Sequence, residues 1–88
     1  MIIDQIYKYL KERGFTCSVK EQDKLHFWKT MNKDEYWIFY ISYIGDKIYI
    51  TLKEESNVDK NHEVMILNAA EIDSIVELAV ILKIFKLI

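Results

Sequence analysis

The sequence predicts an α+β domain built as a helix, a four-stranded antiparallel sheet and a C-terminal helix, with both helices on one face of the sheet. Three observations carry this expectation. Residues 2–13 repeat apolar side chains at helical spacing and stop at Gly14. Residues 35–53 form two long alternating runs around Gly45-Asp46. The residues after Asn68 repeat apolar side chains at helical spacing to the end of the chain. Each helix carries an apolar stripe that must be buried, and one sheet face can bury both.

In chain order, Ile3, Ile6, Tyr7 and Leu10 form the stripe of the first helix, with Asp4 in its first turn and Lys11 and Arg13 in its last, as the helix dipole favours. Two short alternating runs follow. Phe15, Cys17 and Val19 alternate with Thr16, Ser18 and Lys20, and Leu25, Phe27 and Met31 stand against His26, Trp28 and Thr30. Glycine at the first position of a two-residue loop is the type II′ hairpin signature. It predicts that residue 44 faces 47, 42 faces 49 and 40 faces 51. Trp37, Phe39, Ile41 and Tyr43 then share the core face with Ile48, Ile50 and Leu52. Residues 54–63 are polar and aperiodic and read as a loop, and residues 64–67 as either a fifth short strand or a buried lead-in. Asn68 and Glu71 have capping-box spacing and predict a helix from Ala69. Its apolar residues nearly encircle it, so it should be buried on more than one side.

An 88-residue chain is one domain, spanning 1–88. Disorder is excluded by a content of 14% aromatic and 51% hydrophobic residues at a net charge of −2. A single cysteine, Cys17, forms no internal disulfide. With no signal-peptide pattern and no apolar run near the roughly 18 residues that span a bilayer, this predicts a cytoplasmic protein with no membrane contact. So small a domain buries a limited share of its surface, and the apolar surplus on the outer sheet face and last helix predicts a partner, with a second copy of the chain as one candidate.

No catalytic constellation emerges, so the expectation is a protein that is not an enzyme and has no cofactor. Cys17, His26 and His62 lack metal-ligand spacing. His62-Glu63 opens like a zincin helix, but Ile66 stands where the second histidine belongs, so no metal is expected. Cys17 sits in an alternating run beside Phe15, where a cysteine serves as a small hydrophobe. Gly14 and Gly45 are both accounted for by a helix stop and a turn, leaving none for a phosphate loop.

Binding is the remaining class, and two surfaces are candidates. Tyr36, Tyr40 and Tyr49 lie on the outer sheet face beside Lys47 and Lys53, with Trp28 near them, a pattern that single-strand nucleic-acid binders use for stacking. The slightly acidic chain disfavours phosphate-led affinity. The second surface is electrostatic. Residues 54–77 hold Glu54, Glu55, Asp59, Glu63, Glu71, Asp73 and Glu77 against Lys60 alone. Such a patch can steer onto a basic partner or can simply be a solvated loop and helix start.

The opening IIDQIYKYLKERGFTCSVK, followed by a meander, an acidic segment and a terminal helix, resembles the small phage-borne anti-CRISPR proteins. The resemblance implies an inhibitor that occludes a nuclease or another nucleic-acid-processing effector complex, with Glu54, Glu55, Asp59, Glu63, Glu71 and Asp73 as the carried-over contacts. The chain departs from a pure DNA mimic in being nearly neutral and more apolar. The expected function is therefore a non-catalytic protein-binding module. The alternatives are a single-stranded nucleic-acid binder using the aromatic face and a structural homodimer.

Overall fold

A computed structural model describes residues 2–59 and 61–88. The elements are α1 (Ile2–Glu12), β1 (Thr16–Lys20), β2 (Lys24–Thr30), β3 (Glu35–Ile44), β4 (Lys47–Ser56), β5 (Glu63–Ile72) and α2 (Ile75–Ile84). The five strands form one antiparallel sheet whose spatial order equals the chain order. Short connections give this meander. Between β2 and β3 the Asn32 side-chain oxygen accepts from the N–H groups of Asp34 and Glu35, each at 2.9 Å, and the Glu35 carbonyl accepts from the N–H groups of Met31 and Asn32 at 2.9 and 3.2 Å, which together close the turn. Between β3 and β4, Gly45 takes φ +63. Among the described residues, only Ala69 and Lys86 combine a side chain with positive φ, so Asp46 has the negative φ of a type II′ turn. Ile44 pairs with Lys47, Ser42 with Tyr49 and Tyr40 with Thr51, the predicted register.

That register sets the core. Leu25 and Phe27 of β2, Phe39 and Ile41 of β3, Ile48, Ile50 and Leu52 of β4 and Ile72 of β5 are buried. They join one cluster with Ile3, Ile6 and Leu10 of α1, with Phe15, and with Leu78, Leu82 and Leu87. Phe15 meets Phe39 edge-on with ring centroids 6.0 Å apart, a favoured aromatic geometry.

The sheet has five strands where the sequence predicts four. Asn68 and Glu71 lie inside β5, and α2 starts instead after Ser74. The Ser74 hydroxyl accepts from the Glu77 N–H at 3.4 Å, and the Glu77 carboxylate accepts from the Asp73 N–H at 2.9 Å. Two spacings of capping type compete, and pairing with β4 decides between them, because it satisfies backbone groups that a helix from Ala69 would leave open along the β4 edge. The strand's alternation is concealed by register shifts opposite Ile50–Lys53, where Ala69 adopts φ 52 and Ile66 and Leu67 both pack on the core. Likewise β4 runs to Ser56, so Glu54 and Glu55 belong to a strand, not a loop.

In β1, a bulge between Cys17 and Val19 overturns part of the predicted alternation. Cys17 faces Phe27, but Val19 pairs with His26, so Lys20 takes the position opposite Leu25. The Lys20 amine lies 4.6 Å over the Tyr7 ring and 4.0 Å from the Asp4 carboxylate. The strand β2 ends at Thr30, leaving Met31 in the turn. Finally, α2 buries Leu78 and Leu82 but leaves Val76 71%, Val80 50% and Ile84 66% exposed, so within this chain it is covered on one side only.

Lys29 connects the two ends of the fold. Its amine donates to the Leu87 carbonyl at 2.9 Å and to the Arg13 carbonyl at 3.4 Å, and lies 5.0 Å over the Phe15 ring. These charge-assisted bonds hold the chain after α2 against the end of α1. Replacing Lys29 with Met removes both and should lower unfolding stability by about 1–2 kcal/mol, read from urea titration, with the denaturant slope unchanged.

Candidate functional site

The strand residues that alternate with the core set are Val19, His26, Trp28, Thr30, Tyr36, Ile38, Tyr40, Ser42, Ile44, Lys47, Tyr49, Thr51, Lys53 and Glu55, and none of them is buried. Antiparallel pairing brings them together across β2, β3 and β4. His26 stands opposite Tyr40, which stands opposite Thr51, and Thr30 stands opposite Tyr36, which faces Glu55. The predicted sheet-face residues Tyr36, Tyr40, Tyr49, Lys47 and Lys53 therefore share one face, with Trp28 40% exposed beside them. Trp28, Thr30, Tyr36 and Asn57 line a shallow cleft of about 340 Å³.

The polar groups of this face are tied to one another. The Tyr36 hydroxyl donates to the Glu55 carboxylate at 2.9 Å, and this bond, followed by partial burial, raises its pKa above 10.0. Lys53 pairs with Glu63 at 2.8 Å, which raises the lysine's pKa, and lies 5.6 Å from the Tyr40 ring centroid. Lys47 pairs with Glu71 at 3.4 Å. Both lysines expected to serve a phosphate backbone are thus engaged by carboxylates of β5. The His26 ring meets Tyr40 edge-on at 4.6 Å. Its pKa lies below 6.5, chiefly through burial and then through Lys24, with Glu21 acting in the opposite sense.

The acidic residues are divided: Glu55, Glu63 and Glu71 lie on the outer sheet face, with Glu55 opposite Glu63, and the others lie elsewhere. Glu54 and Glu55 are consecutive in β4 and point to opposite faces, Glu54 toward His62 and Glu55 toward Tyr36. Glu63 and Glu71 are spent on the two lysines. The Asp59 carboxylate accepts from the Asn61 N–H at 3.0 Å, which shapes the loop, and Asp73 precedes the Ser74 cap of α2. Lys60, the one lysine of that stretch, lies outside the described residues.

The structure also assembles a group that sequence spacing conceals. Glu35, Glu54 and His62 each place a potential ligand atom within 4.8 Å of the other two. They are 19 and 8 positions apart in the chain, so only the β3–β4 and β4–β5 pairing brings them together. No local motif could have signalled them. Cys17 is half-buried, and its thiol donates to the Val19 carbonyl at 3.2 Å. No helix among the described residues is long and apolar enough to cross a membrane.

Comparison of the chain with protein-family models, with curated proteins and with solved structures finds no match.

The depressed pKa of His26 has a defined consequence for stability. Between that value and 6.5 the unfolded chain binds the proton more readily than the folded one, so this residue's effect is absent above pH 6.5 and destabilises the fold progressively below it. A His26→Gln variant should lose less stability than the parent between pH 7.5 and 5.5 (roughly the window set by the unperturbed histidine value), measured as the shift in urea midpoint. An equal loss in both would show that His26 does not titrate in this way.

Proposed function

We propose that the protein is a non-catalytic binding module whose open sheet face docks a partner protein, acting by occlusion. One observation carries the reading. An aromatic and apolar surface spans three central strands, and its two lysines, Lys47 and Lys53, are already paired with glutamates of the chain. Both helices covering the core face would leave this opposite face free. Exposed apolar surface of this extent marks interaction sites, and tyrosine and tryptophan are the side chains most enriched where binding energy concentrates.

Internal compensation also favours a protein over a nucleic acid. Phosphate-led binding needs free cations to release counterions, whereas Lys47 and Lys53 would have to leave Glu71 and Glu63 first. Paired lysines and glutamates suit a polar rim around an aromatic centre. The division of the carboxylates between faces supports the sheet face, rather than an acidic patch, as the principal contact surface. An inhibitor of a nuclease or other effector complex, as the anti-CRISPR resemblance implies, fits this mode of action because a covering surface needs no catalytic group.

The experiment is affinity capture from the native host with three forms of the chain. The parent should retain a specific protein, and Trp28→Ala combined with Tyr40→Ala should lose it. Changing Glu54, Glu55 and Asp59 together to lysine should leave most of the binding in place. Retention by the aromatic variant, or loss by the acidic one alone, would transfer the contact to the carboxylates. Fluorescence titration with short DNA and RNA oligonucleotides should show no saturation in the micromolar range, and saturation lost on Tyr40→Ala would establish the nucleic-acid reading instead.

A further inference from the structure

We propose that Glu35, Glu54 and His62 form a binding site for a divalent transition-metal ion of the zinc class, distinct from the sheet face. Glu35 opens β3, Glu54 lies in β4, and His62 immediately precedes β5, so three neighbouring stretches each contribute one ligand. Trp37 stands opposite Glu54, which stands opposite Val64, and strand alternation puts Glu35 and Glu54 on the core side of the sheet, at its end. All three residues are half-buried, and their ligand atoms converge within 4.8 Å.

Two features point to a cation. The two carboxylates converge with only the His62 imidazole beside them. Among the described residues no lysine or arginine pairs with either, although Glu63 and Glu71 nearby each hold a lysine. Half-buried like charges held this close repel unless a cation lies between them. The second feature is the donor set and its spacing. His62 Nε2 lies 3.5 Å from Glu54 Oε1, long for a hydrogen bond but close to the roughly 3.3–3.5 Å between two ligands that each sit about 2.0–2.2 Å from one tetrahedral zinc. One imidazole nitrogen and two carboxylate oxygens suit zinc and its first-row neighbours better than calcium or magnesium, which take all-oxygen sets. Three protein ligands leave a fourth position for water or a partner's side chain. Ligation would also fasten the segment before β5 to β3 and β4, so metal binding and folding stability are linked.

Calorimetric titration of Zn²⁺ into the metal-free protein tests the site, with thermal melts alongside. The expected result is one ion per chain and a rise in Tm that a chelator reverses. Glu35→Gln and His62→Ala, shown by circular dichroism to remain folded, should each weaken the affinity about tenfold or more and abolish the Tm shift. Absence of saturable binding, or parental affinity in both variants, overturns the assignment and leaves His62 as a hydrogen-bond partner of Glu54. X-ray absorption of the zinc-loaded parent gives a readout without substitution. Nitrogen and oxygen neighbours at about 2.0–2.2 Å support the site, and sulfur ligation, which would implicate Cys17, overturns it. Partner capture by the sheet face is a separate measurement, so failure of either proposal leaves the other standing.

Discussion

The β3–β4 hairpin is the constraint on which the remaining structure depends. Gly45 takes a backbone conformation that costs other residues strain, and this pins Ile44 opposite Lys47. Because side chains alternate with a period of two, that one pairing decides that Phe39, Ile41, Ile48, Ile50 and Leu52 face the core. A slip by one residue on β3 would exchange Phe39 and Ile41 for Tyr40 and Ser42. Ile3, Ile6 and Leu10 of α1 and Leu78 and Leu82 of α2 are buried in one cluster with these core-facing strand residues.

Charge is distributed by the same alternation. A net charge of −2 is small, yet the chain places its carboxylates in two different settings. On the outer face Glu63 and Glu71 meet Lys53 and Lys47 across the β4–β5 pairing, which leaves that surface nearly neutral and its aromatic residues prominent. Surface pairs of this kind contribute little to stability, and their main effect is on the charge that the face presents. At the end of the core side, Glu35 and Glu54 have His62 for company and no lysine or arginine partner among the described residues. Consecutive residues Glu54 and Glu55 thus lie on opposite faces of the sheet, Glu54 beside His62 and Glu55 beside Tyr36.

Where local rules acted alone, the sequence was legible. The α1 stripe with its Gly14 stop, the hairpin register and the sharing of one face by Tyr36, Tyr40 and Tyr49 all follow from periodicity and turn chemistry. Local rules misled where two of them competed. Asn68-x-x-Glu71 and Ser74-x-x-Glu77 are both capping spacings, and the second prevailed because β4 had an edge to satisfy. The bulge at Ser18 moved Val19 off the core side, and the irregular pairing of β5 concealed its strand character, since a bulge destroys the alternation by which a strand is recognised. The last helix looked too apolar to be exposed, yet Val76, Val80 and Ile84 remain open, because hydrophobic content alone does not say how many neighbours an element receives.

By itself, then, the sequence determined the α+β class, the first helix, the central hairpin with its register, and the aromatic composition of the outer face. Each of these depends on interactions within a few residues. The tertiary structure alone decided that a fifth strand forms, that the two lysines of the face are paired, and that Glu35, Glu54 and His62 converge. These depend on which strand lies beside which. Residues far apart in the chain become neighbours only through backbone pairing summed over the whole sheet, and no local pattern of side chains encodes that sum.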